Sequence, residues 1–79
     1  MLMTTTDTLP QPFTALGLVD AEIGEGLFTS ERSTGKRLAE AEHQMEEQAR
    51  ELGGDAVIGI RVSALVGTLM VIGTAVKLN

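Results

Sequence analysis

The sequence predicts an α+β fold, a β-α-β-β subunit in which one helix packs on a three-stranded antiparallel sheet. A central segment consists almost entirely of strong helix formers, which predicts the helix. Two runs rich in Val and Ile follow it and are separated only by the pair Val66-Gly67, which has the length of a tight hairpin turn. One strand-like segment precedes the helix. A single helix can cover only one face of such a sheet.

Length and composition exclude several classes of protein. A chain of 79 residues forms one small domain, and the absence of cysteine excludes disulfides and thiolate metal sites. A net charge of −5 argues against nucleic acid or an anionic membrane as a partner. The longest uncharged stretch, residues 62–76, is shorter than the roughly 20 residues of a membrane-spanning helix. We expect a cytoplasmic protein without a membrane partner.

The N-terminal third divides into a lead-in and a strand. Residues 1–12 are rich in threonine and are expected to form a flexible segment, followed by a single domain over residues 13–79. A first strand is predicted from Phe13 to about Ile23. The glycine- and Ser/Thr-rich stretch after it is typical of a loop.

The predicted helix runs from about Thr34 to Leu52, with Ser33 or Thr34 as the N-cap and Gly53 after its C-terminus. Its apolar residues recur at intervals of three and four and form one narrow stripe: Leu38, Ala41, Met45, Ala49 and Leu52. The opposite side is acidic and contains the only histidine: Glu40, His43, Glu47 and Glu51.

The two strands after the helix are rich in apolar residues, and the last of them is apolar on both faces. Simple alternation places one set of side chains on a common face of the second strand: Ala56, Ile58, Ile60, Val62 and Ala64. In the third strand neither face is polar before Lys77. A sheet with one solvated face carries polar residues at every second position, so the second face of this sheet needs a cover. Because the chain has only one helix, another copy of the chain is expected to cover the second face. The sequence does not indicate which of the two faces the helix covers.

Two segments resemble the YbjQ-like proteins, a bacterial and archaeal family named for heavy-metal binding. One is the end of the helix and the start of the next strand: Ala49, Leu52, Gly53, Gly54, Asp55, Ala56, Val57 and Gly59. The other is the closing strand: Met70, Val71, Gly73, Thr74, Ala75, Val76 and Lys77. The resemblance implies a dodecin-like subunit in a homo-oligomeric ring, usually a pentamer. Flavin, which dodecins bind by aromatic stacking, is not expected because the chain has no Trp or Tyr.

A candidate metal site lies on the acidic helix face. Glu40, His43 and Glu47 have spacings of three and four residues, which place their side chains on adjacent helical turns. Imidazole and carboxylate ligands suit divalent zinc, nickel or manganese. The alternative is an ordinary solvated acidic surface, and repetition of the set around a ring would favour the metal site.

A candidate anion site lies where the helix begins. Arg32, Lys36 and Arg37 place positive charge beside the free N–H groups of the first turn, where a phosphate-bearing ligand would bind. The alternative is that these cations pair with acidic residues of the same chain or of a neighbouring subunit. A phosphate-binding loop is excluded because Ser30 and Arg37 occupy positions that its pattern reserves for Gly and Ser/Thr.

No catalytic constellation is present, and we expect a protein that is not an enzyme. The function predicted from the sequence is a ring that binds a metal ion or small ligand at its subunit interfaces. The alternatives are a structural or protein-interaction ring and a binder of a phosphate-bearing anion.

Overall fold

The computed structural model describes residues 1–24, 34–65 and 67–79. It contains one helix and four strands in the order β-β-α-β-β, and the strands form one mixed sheet in the spatial order β1-β3-β4-β2. The elements are β1 (Leu2–Met3), β2 (Phe13–Gly24), α1 (Thr34–Glu51), β3 (Ala56–Leu65) and β4 (Thr68–Leu78). The predicted α+β class, the single helix and the antiparallel pairing of the last two strands are confirmed. The structure adds that β2 pairs antiparallel with β4, which places β4 between β2 and β3.

The predicted strand number is wrong, because the sheet has four strands and not three. Leu2 and Met3 form a short strand that pairs in parallel with Ala56 and Val57. The amide of Thr4 continues the contact by donating to the Val57 carbonyl at 3.0 Å. These bonds satisfy backbone groups on the outer side of β3 that would otherwise be unpaired. A two-residue strand is too short to show a hydrophobic period, which is why the sequence does not reveal it.

The helix ends on a Schellman motif. Gly53 has φ 83°, and its amide donates to the Arg50 carbonyl at 2.9 Å. The amide of Gly54 donates to the Ala49 carbonyl at 2.7 Å, which completes the pair of bonds that defines the motif. The left-handed conformation at position 53 favours glycine, as the sequence predicted. The chain then turns directly into β3.

The predicted buried stripe of α1 is confirmed at its centre, but its end residues are not fully buried. Ala41, Met45 and Ala49 are fully buried against the sheet. Leu38 is only partly buried, and Leu52 is exposed because it follows the last helical residue. Two alanines among the three central positions let the helix axis lie close to the strands.

A β-bulge in β3 overturns the simple alternation predicted for that strand. The register with β4 shifts between Ile58 and Arg61, and Gly59 has φ 62°. This extra residue in the left-handed conformation reverses the direction of the side chains that follow. Ile58 therefore packs on the face away from the helix, whereas Ile60 joins the core beneath the helix. The amide of Gly59 donates outward to the Thr6 carbonyl at 2.7 Å.

The hairpin between β3 and β4 is tight, with Leu65 paired to Thr68. Gly67 has φ 75°, and Val66, the other residue of the predicted turn, lies outside the described residues.

The helix covers the face of the sheet to which Val19, Val71 and Ala75 contribute. The sequence did not indicate which of the two faces the helix covers, and the structure assigns it to this one. No helix in the described ranges is long and apolar enough to span a membrane.

Candidate functional site

The uncovered side of the sheet is the main candidate site. Beyond a small cluster at one end, where Leu9 and Phe13 pack on β3 and β4, this side has no cover within the described chain. We call its exposed part the open face. It consists of Leu18, Asp20, Glu22, Arg61, Ser63, Met70 and Ile72.

The strand register arranges the open face in rows. Ile72 of β4 lies between Asp20 of β2 and Arg61 of β3. Met70 lies in the same way between Glu22 and Ser63. The residues of these two rows line a shallow cavity of about 280 Å³.

The centre of the open face is apolar. Leu18 is 72% exposed, Ile72 46% and Met70 42%. Single exposed apolar residues are common in monomers, whereas three exposed large apolar residues on one side of a small sheet are typical of interaction surfaces. The open face therefore has the character of an interaction surface.

The charges of the open face are separated by strand. Asp20 and Glu22 lie on β2, whereas Arg61 lies on β3 and turns outward to the N-terminal segment. The Arg61 Nη2 atom contacts Asp7 Oδ1 at 2.9 Å, and Nη1 donates to the Thr5 carbonyl at 2.6 Å. One margin of the surface is thus acidic and the other carries a cation.

The outer edge of β2 is closed at one point by the helix. The Gln48 side chain accepts from the Asp20 amide at 3.0 Å and donates to the Asp20 carbonyl at 2.6 Å. It therefore takes the place that a neighbouring strand would occupy, and a partner cannot extend the sheet at this residue. Nothing in the sequence pointed to this role, because the partner is backbone 28 residues away.

The predicted metal ligands lie on the outer helix surface. His43 Nε2 contacts Glu47 Oε1 at 2.9 Å, with the two side chains 71% and 63% exposed. Glu40 lies one turn earlier and is half-buried. The described ranges contain no group of three or more His, Cys, Asp or Glu side chains placed to hold one metal ion. A single chain thus presents two adjacent ligands, an imidazole and a carboxylate.

The predicted anion-binding residues do not share one environment. Lys36 is exposed, and Arg32 lies outside the described residues. Arg37 is buried, and its Nη2 atom donates to the Ile23 carbonyl at 3.0 Å. The sequence contains a signal for this burial, because positions 37, 41, 45 and 49 form one row of the helix at intervals of four. Arg37 thus joins the start of α1 to the end of β2.

Comparison with known proteins gives a family and a fold. A family model, YbjQ_1, described as "Putative heavy-metal-binding", matches residues 25–79. None of the curated proteins matches the chain. A crystal structure of a protein of unknown function from Pediococcus pentosaceus ATCC 25745, assigned to the DUF74 family, is similar with a TM-score of 0.77 and 18% sequence identity. The match covers 100% of this chain and 98% of that chain, so the two share a fold along their whole length.

Proposed function

This chain belongs to the YbjQ_1 family, whose name refers to heavy metals, and we propose that it is a non-enzymatic homo-oligomeric ring that binds a metal ion or small ligand between subunits. The observation that carries the proposal is the open face, an apolar surface on a very small domain. The pentamer implied by the sequence resemblance is the ring size that we propose. The cytoplasm is the proposed location.

Burial of the open face between copies would stabilise the protein. Each Å² of apolar surface removed from water contributes about 25 cal/mol. A domain of this size buries only a small core, so the additional burial is a large share of its total. Ile72 and Met70 lie at the centre of the surface, where a neighbour would exclude water most completely. Association then adds to the free energy of unfolding by an amount that grows with the logarithm of protein concentration.

The metal part of the proposal depends on repetition by symmetry. His43 and Glu47 supply two adjacent ligands in each chain, fewer than the three or four of a usual divalent-metal site. Copies of the chain in a ring would bring further oxygen or nitrogen ligands to the same ion. Zinc, nickel and manganese are the ions that suit this mixture of imidazole and carboxylate.

Ile72→Asp is expected to convert the oligomer to folded monomers, because it places a charge at the centre of the buried contact. Sedimentation velocity at micromolar concentration would measure the mass, and far-UV circular dichroism would verify the fold. Leu52→Asp is the matched control, since Leu52 is exposed to the same extent, 46%, but lies outside the open face. Wild-type protein that sediments as a monomer would contradict the proposed assembly.

His43→Ala is expected to abolish the binding of the metal that the wild-type protein takes up from a panel of zinc, nickel and manganese. Isothermal titration calorimetry would measure the loss, which follows from removal of the only imidazole. Gln44→Ala, beside it on the helix, is expected to bind like the wild type. If the wild-type oligomer binds none of these metals, the metal part of the proposal is refuted and a structural or interaction ring takes its place.

A further inference from the structure

We propose that the open face recognises a second copy of this chain by charge pairing between its two margins. Arg61 on the β3 margin of one copy would pair with Asp20 and Glu22 on the β2 margin of the next. This inference rests on the proposed homo-oligomer and specifies which side chains orient its interface.

The first support is the placement of the charges within one chain. Asp20 and Arg61 share a row of the sheet, on either side of Ile72. The Arg61 guanidinium does not lie across Ile72 towards Asp20 but contacts Asp7 and the Thr5 carbonyl at the outer side of β3. Within the described chain, neither Asp20 nor Glu22 has an ion-pair partner. The two carboxylates of the acidic margin can therefore form ion pairs with another molecule.

The second support is that one surface carries both signs. Two copies can pack with their open faces against each other, or side by side around a ring. Both arrangements can place the β3 margin of one copy beside the β2 margin of the next. The pairing is thus self-complementary and does not depend on ring size. A second copy matches this distribution better than a purely acidic or purely basic partner, which would leave one margin opposed to a like charge.

The third support is the state of the β2 edge. Because Gln48 takes both backbone groups of Asp20, a partner strand cannot pair there through the backbone. At Asp20, a partner is therefore left with the side chains of the open face to contact. The apolar centre at Met70 and Ile72 would supply affinity by excluding water, and the charges around it would set orientation.

The exposed contact between Arg61 and Asp7 does not oppose this pairing. Both side chains are exposed, and ion pairs between exposed groups contribute little to stability. A pair formed beside the dehydrated apolar centre of an interface is screened less by salt and water. Turning to a neighbouring carboxylate would also break the hydrogen bonds from Arg61 Nη1 to the Thr5 and Ile60 carbonyls, so the new pair has to outweigh those bonds as well as the Asp7 contact.

The test is rescue between two charge-reversed variants of the full chain. Arg61→Glu alone and the double variant Asp20→Lys/Glu22→Lys alone are each expected to weaken association about tenfold or more, because like charges then meet at the margins. An equimolar mixture of the two is expected to recover much of the lost association, since opposite charges face each other wherever the two variants alternate. In a ring of five, at least one interface still joins two copies of the same variant, so the recovery is expected to be partial. Sedimentation velocity of each sample and of the mixture would measure this.

Lys77→Glu is the matched control for Arg61→Glu, because it makes the same change in net charge at an exposed position outside the open face. It is expected to associate like the wild type. An oligomeric wild type whose association survives both charge reversals, or a mixture that assembles no better than its components, would overturn the charge pairing while leaving the proposed oligomer intact. A monomeric wild type would overturn both.

Discussion

Val71→Asp is expected to leave the chain unfolded at room temperature. Val71 is almost completely buried in the apolar core beneath the helix, and an aspartate there would bring a charge into apolar surroundings. An unpaired buried charge costs several kcal/mol, about as much as the whole free energy of unfolding of a very small domain. Far-UV circular dichroism and urea denaturation would measure the loss.

The adjacent residue is the control for this prediction. Ile72→Asp makes the same kind of change one position along β4, on the opposite face of the sheet, and is expected to remain folded. The pair distinguishes the core face from the open face directly. A folded Val71→Asp protein together with an unfolded Ile72→Asp protein would show that the helix covers the other face.

Gly73→Ala is expected to lower the free energy of unfolding by about 1–3 kcal/mol through overpacking. A Cβ atom at this position would lie 2.7 Å from Val57 Cγ1 and 3.1 Å from Met45 Cε. The terminal methyl of Met45 can move, but Val57 is buried and β-branched, so its χ1 has little freedom to move away. The backbone would have to shift instead.

Urea denaturation would measure this effect against Gly24→Ala, whose Cβ would approach the Gly67 carbonyl at 3.7 Å and no other atom of the described residues within 4 Å. That control is expected to change stability by less than about 0.5 kcal/mol. The double variant Gly73→Ala/Val57→Ala is expected to be more stable than the sum of the two single effects, because removal of the Val57 methyl groups relieves the contact. Additive effects would show that the clash is not the cause.

The elements that could be predicted are those with local signals. The helix begins at Thr34 as expected and ends one residue before the predicted Leu52, because its stripe and its glycine stop signal are contained in its own residues. The bounds of β3 and β4 follow similarly from two apolar runs around a short turn. The short β1 was missed because its pairing depends on β3, more than fifty residues later.

The candidate site was predictable only in outline. Apolar residues on both faces of the last strand predicted an uncovered face of the sheet. The opposing margin at Arg61 depends on the bulge at Gly59, which a strict period of two does not show. Gln48 acts through backbone contacts distant in sequence, and such contacts leave no periodic trace.

The sequence alone was sufficient for the α+β class, the helix with its buried stripe, the hairpin and the presence of apolar residues on a second sheet face, because each depends on the order of neighbouring residues. The tertiary structure was needed to decide which face the helix covers. Val71 and Ile72 are equally apolar neighbours, and only their positions relative to α1 separate a core residue from an exposed one. It also placed Arg37 inside the protein, where it bonds to the Ile23 carbonyl. Long-range packing determines these features, since a side chain's surroundings depend on residues far along the chain.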